Sequence, residues 1–558
     1  MRFRALATDF DGTLAEEGRV SEAALAALAA LRKSDRFLLL VTGRLLEDIQ
    51  NVFSRLDLFD WVVAENGAVL YEPASRQRVT LAAPPPKEFL DRLTALGVPL
   101  EWGHVIVATR EPHEKAVLDV IRDLGLELQV IFNKGAVMVL PTNVNKASGL
   151  SAALHRMKLS PHNTVAVGDA ENDHAFLSLC ECAVATANAL PSLKQHANVV
   201  LEEPNGEGVA RLADEVRLTD LAGRPLPQHD VPLGTTREGT EVFLHSYLSG
   251  TLLFAGPSGG GKSTAALSFV ERIEGRGYQI CIIDPEGDYE AFGKAIVLGD
   301  ATTATSVDEV TSILLEPDRS VIVNLLAVQA ANRPAFADEL LSRLFGIRAR
   351  YGRPHWIVLD EAHHIFPVER SADAILPRDL NNVLVITTEP KLLAKELLAT
   401  VRTAIGFGND AAGVIREAVP IELPASSPAI EAQAVIWRSD KAGVEMLADV
   451  YPPASKKQRH RRKYAVGALA PEKSFFFQGP DGKLNLRANN LTLFAQIAEG
   501  VDDATWFYHL QRGDYERWFR ESIGDGDLAL AAKNAACQPV SSRKAILSAI
   551  HDRYTAPG

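Results

Sequence analysis

Asp9-Phe10-Asp11-Gly12-Thr13 closes a short apolar run and decides how the first two hundred residues are read. Two carboxylates two residues apart, at the C-terminal end of a parallel strand, both project into the crevice where open α/β sheets bind ligands. Acidic strand ends also cap helices, so the pair alone leaves two readings open. Three further segments follow in order. Val41-Thr42-Gly43-Arg44 ends a second apolar run and places a hydroxyl at a helix N-terminus, suited to a phosphoryl oxygen. Lys146 opens a helical pattern, where an ammonium neutralises charge on a transferring group. Gly168-Asp169-Ala170-Glu171-Asn172-Asp173 follows a later strand and supplies carboxylates for a hard cation with oxygen ligands.

Around these segments, residues 1–222 alternate candidate strands (5–10, 37–41, 61–64, 164–167, 182–185) with helical patterns (22–32, 46–56, 146–157, 173–179). That alternation implies a parallel sheet covered on both faces. Between about 84 and 145 a separate small α+β pattern intervenes, behind Pro84-Pro85-Pro86. Its helices are expected at 87–96 and 114–124, and its strands at 105–109 and 137–140.

With Glu65-Asn66-Gly67-Ala68 and Asn205-Gly206-Glu207-Gly208-Val209, the four motifs resemble the haloacid dehalogenase superfamily, specifically its sugar-phosphatase-like (Cof) branch, over about residues 1–222. The resemblance implies a Rossmann-like parallel sheet with a small α+β cap. It also implies roles. Asp9 would attack phosphorus and form a phosphoaspartyl intermediate, with Mg²⁺ lowering the charge barrier. Asp11 would protonate the leaving oxygen and then deprotonate water. Thr42 and Lys146 would hold the phosphoryl oxygens. Asp169, Asp9 and the Asp11 main-chain carbonyl would ligate Mg²⁺, with Asp173 supporting that shell and Asn172 a phosphate contact. The cap would read the leaving group, a sugar phosphate, a phosphoglycolate-sized acid or something bulkier. Arg44, Glu65, Asn66, His104 and Asn133 are candidates for that reading, and each is equally suited to surface or core duty.

A Pro- and Gly-rich boundary near 222–230 introduces a second α/β rhythm, assigned to 223–450, with strands expected at 252–255, 280–283, 321–324, 356–359 and 383–386. Gly256-Pro257-Ser258-Gly259-Gly260-Gly261-Lys262-Ser263 follows the first of these and precedes the helical run that Thr264 begins, the context a phosphate-binding P-loop requires. The glycines let backbone N–H groups curl around phosphate; Lys262 would reach the β and γ phosphates of ATP, and Ser263 would ligate Mg²⁺. Trp356-Ile357-Val358-Leu359-Asp360-Glu361 is an apolar strand ending in two acids. Asp360 would hold Mg²⁺ through water and Glu361 would polarise the attacking water.

Asp284-Pro285-Glu286-Gly287-Asp288-Tyr289 and Asp360-Glu361-Ala362-His363-His364 make this region similar to the HerA/FtsK class of ring-forming ATPases, over about 225–440. That implies a RecA-like fold, with Glu286 and Asp288 near the nucleotide and a homo-oligomer, a hexamer in the ring form. Thr387-Thr388-Glu389 departs from the Thr-Gln pair usual there; Thr388 remains a candidate γ-phosphate sensor. Rings need a positive charge supplied in trans. Arg343, Arg348, Arg350, Arg353 and Arg402 are available, and the sequence does not single one out.

Residues 451–465 read as a basic linker, carrying Lys456-Lys457-Gln458-Arg459-His460-Arg461-Arg462-Lys463, either a solvated tether or a phosphate-backbone contact. Residues 466–558 read as a hairpin followed by helices. Trp506, Phe507, Tyr508, Tyr515, Trp518 and Phe519 suggest a small core there, with base-stacking as the alternative.

At 558 residues the chain suits two to four domains, and its 47% apolar and 23% charged residues are those of a globular protein. A net charge of −13 excludes a globally basic nucleic-acid binder without excluding a local basic track. No apolar run approaches the roughly 18 residues that cross a bilayer, and no signal-peptide pattern begins the chain, so a cytoplasmic location without membrane partners is expected. Cys180, Cys182, Cys281 and Cys537 form neither a disulfide framework nor a zinc pattern. Two functions remain in view: a Mg²⁺-dependent phosphatase for a small phosphoester whose ATPase module regulates or assembles it, and a HerA-like nucleic-acid-dependent motor with an end-processing phosphatase, in repair or phage defence. A nucleotide-gated scaffold is the non-enzymatic third.

Overall fold

Outside the inserted cap, the apolar runs of the first two hundred residues form one eight-stranded sheet in a computed structural model of the chain. The structure describes residues 2–558 except 134, 223, 225, 290–291, 371–375, 378–379, 420–432, 442, 455–468, 470–472, 481, 483, 524, 537 and 555–558. Two compact units divide it: 1–285 with 291–453, and 454–558 with 286–290.

In the first sheet, the strand Ala5–Thr8 lies at the centre between Thr164–Gly168 and Phe37–Val41, both parallel to it. Cys182–Ala185 and Val199–Val200 extend the sheet on one side. Trp61–Ala64 extends it on the other, followed by the antiparallel pair Val69–Glu72 and Gln77–Thr80. The central strands are buried throughout, as their continuous apolar runs require of a sheet covered on both faces. Ser21 caps the helix Glu22–Arg32 by accepting from Ala24 N. The helix expected over 46–56 ends at Val52; Phe53, Leu56 and Phe59 turn inward to the core, and a tight turn at Leu56–Leu58 replaces the last helical turn.

The inserted cap is a four-stranded antiparallel sheet in the order Glu101–Trp102, Val107–Arg110, Ala136–Pro141, Leu128–Asn133. The helices Lys87–Ala95 and Glu114–Asp123 cover one face through Phe89, Leu93, Val117 and Val120. On the other face Met138 and Leu140 join the core of the first sheet. The edge strands at Glu101 and Leu128 were not read from the sequence.

A second, nine-stranded sheet follows, in the order Ile296–Leu298, Val321–Asn324, Ile280–Asp284, Trp356–Leu359, Asn381–Thr387, Gly250–Ala255, Val401–Phe407, Ala434–Arg438, Val444–Leu447. The first seven strands are parallel, and the last two return antiparallel. Tyr451 N still bonds Leu233 O, so ordered pairing runs past the expected start of the linker.

The two α/β sheets meet through the N-terminal ends of their strands. Arg2, His162, Asn163 and Glu181 each lie just before a strand of the first sheet; Ser246, Tyr278 and His355 lie before strands of the second. Glu181 is 1% exposed and accepts from Arg2 Nη2 at 2.6 Å and Tyr278 Oη at 2.7 Å, with His162 Nδ1 at 2.9 Å. The Asn163 amide donates to Arg2 O and Gly352 O and faces His355 Nε2, while Arg353 reaches back to Lys158 O. Docking through the N-terminal strand ends turns the two C-terminal edges, where such sheets bind ligands, away from each other.

The second unit holds a core of Phe475, Phe477, Phe494, Trp506, Tyr515, Trp518 and Phe519. Phe475–Phe477 pairs antiparallel with Leu486–Ala488, and Trp506 stacks on Tyr515 at 4.4 Å. The aromatic run is therefore core packing, with Phe507 and Tyr508 half-buried at its margin. The basic cluster 456–463 lies outside the described residues. No helix among the described residues is long and apolar enough to cross a membrane. Cys180, Cys182 and Cys281 are buried free thiols, and Cys537 lies outside the described residues.

Candidate active site

Three carboxylates gather at the C-terminal edge of the first sheet, and two of them grip one ammonium. Asp9 follows its central strand, Asp169 and Asp173 follow the neighbouring strand, and Lys146 begins the helix Lys146–Arg156. Lys146 Nζ lies 2.6 Å from both Asp9 Oδ1 and Asp173 Oδ1. All four side chains are buried. The helix start is fixed locally: Asn145 Oδ1 accepts from Ser148 N, and Ser148 Oγ accepts from Asn145 N.

Asp173 is held by its own turn, its second oxygen accepting from Asp169 N and Ala170 N, both at 2.9 Å. Thr13 Oγ1 donates to Asp169 Oδ1 at 2.9 Å and orients it. Gly12 has φ +83°, and a Cβ there would stand 2.5 Å from Asp169 Oδ2, so both backbone and space demand glycine. Thr13 and Asn188, which donates to Gly12 O, are supporting residues the sequence reading gave no role. Neither carries a signal separable from an ordinary turn.

Burial, and then the charge on Asp173, push the Asp9 carboxyl up to about 7, against the pull of Lys146. Burial alone would lower Lys146; Asp173 and Asp9 outweigh it and hold the ammonium above its ordinary range. Asp9, Asp169 and Asp173 offer three ligand oxygens within 4.8 Å of one another. Carboxylate oxygens gathered in this way fit a hard divalent cation such as Mg²⁺.

Thr42 is fully buried beside this group, its N–H bonded to Val63 O and its Oγ1 accepting from Arg44 N. Asp11 stands nearer solvent. Arg44 clasps it with two bonds of 2.7 Å and holds Asp48 with a third. Those charge-assisted bonds, the Asp11 pair foremost, raise Arg44 further above its usual range. Arg44 therefore grips the expected acid–base residue in this arrangement instead of presenting itself to a leaving group. Asn172 Nδ2 faces Asn66 Oδ1 at 3.5 Å, behind Gly43. Glu65 is buried with both oxygens bonded to cap backbone, which removes it from the substrate-reading candidates. His104 pairs with Glu47 at 2.6 Å, and the Asn133 side chain lies outside the described residues.

A second group gathers at the C-terminal edge of the other sheet. Gly256–Gly261 joins the strand Gly250–Ala255 to the helix Lys262–Gly275. Gly259 and Gly261 have φ of +81° and +96°, and a Cβ on Gly256 would stand 2.7 Å from Phe407 O. Gly260 N closes a turn on Pro257 O. Lys262 Nζ lies 3.2 Å from Glu361 Oε1, and Thr388 Oγ1 lies 3.4 Å from Glu361 Oε2. His363 Nδ1, assigned no role from sequence, stands 3.1 Å from Thr387 Oγ1. Asp360 and Glu361 are buried at the end of Trp356–Leu359, with Ser263 and the exposed Thr264 in the first turn of the helix. The strand bearing Thr387 separates the loop strand from the one ending in Asp360.

Of the arginines available to act in trans, Arg353 is fully buried against carbonyls at the junction of the two sheets. Arg348 donates to Pro354 O, Asn381 O and His355 O. Both are thereby committed to the fold. Arg343, Arg350 and Arg402 are not so enclosed. Glu286 and Asp288 fall in the second unit.

The profile of the haloacid dehalogenase-like hydrolases matches residues 6–111 and 101–212. A phosphoglycolate phosphatase of Methanothermobacter thermautotrophicus is 30% identical over 217 residues, 37% of this chain and 96% of its own. Phosphoglycolate phosphatase 2 of Saccharolobus solfataricus is 28% identical over 223 residues, 38% of this chain and 91% of its own. A solved haloacid dehalogenase-like hydrolase from Bacteroides thetaiotaomicron aligns with 38% of this chain and 99% of its own, at 17% identity and a TM-score of 0.35.

Proposed function

The chain belongs, through residues 6–212, to the haloacid dehalogenase-like hydrolases, and on that premise we propose that Asp9 attacks the phosphorus of a small phosphomonoester to form a phosphoaspartyl enzyme. The observation that carries this reading is the buried cluster in which Lys146 pairs with Asp9 and Asp173 and Asp169 brings a third carboxylate oxygen within 4.8 Å of theirs. Asp9, Asp169 and the Asp11 carbonyl would hold Mg²⁺, with Asp173 behind them. Bound there, the cation offsets the repulsion between a carboxylate nucleophile and an anionic phosphoryl group. Lys146 and Thr42 receive the phosphoryl oxygens. Asp11, released from Arg44, gives a proton to the leaving oxygen and takes one from the water that cleaves the phosphoaspartate. The small cap, and the names of the relatives, favour a substrate near phosphoglycolate in size.

The glycine loop supports a further part of the reading, in which the second module binds and hydrolyses ATP. Gly259 and Gly261 take the left-handed conformation a phosphate-cradling loop uses, and Glu361, Lys262 and Thr388 lie within hydrogen-bonding reach of one another beside it; Ser263 and Asp360 would complete the site. An incoming γ-phosphate would separate Lys262 from Glu361 and free that carboxylate to polarise water. The module would then regulate or assemble the phosphatase.

Phosphate release from a panel of small phosphomonoesters with Mg²⁺, and from ATP in parallel, tests both parts. Asp9→Asn should lower the first by about 10³-fold or more, the scale of losing a covalent nucleophile, and leave the second intact. Lys262→Ala should do the reverse. No turnover of any phosphomonoester above the Asp9→Asn background would end the phosphatase assignment, and an ATP rate indifferent to Lys262→Ala would end the other.

A further inference from the structure

Glu65-Asn66-Gly67 forms a tight turn after the strand Trp61–Ala64, and both Glu65 and Asn66 sit in the left-handed region, at φ 51° and 53°. Two consecutive non-glycine residues there are strained, so the surroundings must hold them in place. On the catalytic side, Glu65 N donates to Arg44 O at 2.8 Å and Asn66 N to Thr42 O at 3.1 Å. Gly67 packs so closely on Asn145 that a Cβ would stand 1.9 Å from its carbonyl oxygen, and Asn145 caps the helix that Lys146 begins. The turn thus touches the backbone of the phosphoryl-binding segment and the start of the lysine helix.

Its side chain points the other way. The Glu65 carboxylate, 0% exposed, accepts from His104 N at 2.9 Å, Val105 N at 2.8 Å and Ile106 N at 3.1 Å. These are consecutive cap amides, in a turn closed by Gly103 N on Ile106 O. A Cβ on Gly103 would stand 2.4 Å from Glu65 Oε1, so the cap approaches as far as glycine allows. Beside the clasp His104 pairs with Glu47 of the helix that follows Arg44. A buried carboxylate satisfied by three N–H groups becomes unsatisfied if the cap lifts, and that loss resists opening.

We propose that Glu65 is the positioning residue that fixes the cap over the phosphoryl site, joining cap backbone to the segments bearing Thr42 and Lys146 and so setting the room left for a leaving group. The proposal rests on the phosphatase assignment above. It explains why an acid in this motif turns away from the substrate. It also places selection for small phosphomonoesters in the distance between two backbones.

The full-length protein with Glu65→Gln, with Gly103→Ala and with both changes tests it by steady-state kinetics on a small phosphomonoester and inhibition by inorganic phosphate. Glu65→Gln sets an NH₂ against cap N–H donors, and Gly103→Ala forces the same contact apart without touching the core turn. Each single variant should raise KM about tenfold or more, as misplacement by a fraction of an ångström does, with phosphate inhibition unchanged within about twofold. The double variant should be little worse than either, because both break one contact. Wild-type KM in both single variants would overturn the proposal, and so would phosphate affinity falling in step with KM. Hydrogen exchange of the 104–106 amides separates this from the phosphatase assignment itself. Faster exchange in Glu65→Gln is expected whether or not the substrate panel gives turnover, and unchanged exchange would refute the clasp.

Discussion

Asp9 sits where burial and the Asp173 charge hold its carboxyl near 7, far above the 3.8 of an exposed aspartate. Between those two values the folded, metal-free protein binds a proton that the unfolded chain releases. Its stability therefore falls as pH rises through that window. Adding Mg²⁺ opposes that fall, because the cation selects the ionised carboxylate and competes with the proton. Melting temperature measured against pH with and without Mg²⁺ should accordingly show the two curves separating from about pH 5 upward, and superposed curves would contradict the assigned ligand set. Gly12→Ala belongs to the same scale. A methyl group 2.5 Å from Asp169 Oδ2 must displace that carboxylate, so Mg²⁺ affinity, read from the activation curve, should weaken about 10- to 100-fold.

Among the elements, the helix Lys146–Arg156 depends most visibly on its first turn. Asn145 provides the reciprocal cap with Ser148, and the residue after the cap is Lys146, the lysine proposed to hold phosphoryl oxygens. Asn145→Ala should lower stability by about 1 kcal/mol, the usual cost of a lost N-cap. Phosphatase kcat should fall more than that loss implies, since the Lys146 backbone moves with the cap. Denaturant unfolding and kcat measured on the same preparation separate the two effects. Equal kcat to wild type would show the lysine to be positioned by Asp9 and Asp173 alone. The strand Asn381–Thr387 is the comparable element in the second sheet: inserted between the loop strand and the strand ending in Asp360, it brings Thr388 to Glu361.

For the molecule, the junction of the two sheets is the feature with consequences. Glu181 gathers Arg2 and His162 from one sheet and Tyr278 from the other; burial would raise its carboxyl, but the His162 hydrogen bond, and then the charges of Arg2 and His229, hold it down to about 2. That contribution is complete above the ordinary value of 4.5 and drains away as pH falls toward about 2. Glu181→Gln strips the counter-charge from Arg2 and should cost about 3–5 kcal/mol, as breaking a buried ionic group does. Calorimetry should then show the single cooperative transition of the two α/β modules shift downward or split. On the proposed reading, this junction lies at the strand ends opposite both candidate sites and offers a path by which occupancy of one would influence the other.

The motifs at Asp9, Thr42, Lys146 and Asp169, and the loop at Gly256–Ser263, were legible in the sequence because each is local: a short run of fixed spacing at a strand end, where backbone direction alone aims the side chains. The central strands were legible for a related reason, since a strand buried on both faces must be apolar throughout. Edge strands such as Glu101–Trp102 and Gln77–Thr80 were not, because one exposed side frees their composition. Distance along the chain hid the rest. Tyr278 meets Glu181 across 97 residues and Arg353 meets Lys158 across 195, and no periodicity encodes such a meeting. Glu65 carried the same ambiguity in miniature. The sequence determined that an acid stands beside the phosphoryl motif. Only the tertiary structure, by bringing three cap amides around that buried charge, decided that it faces the cap and not the substrate.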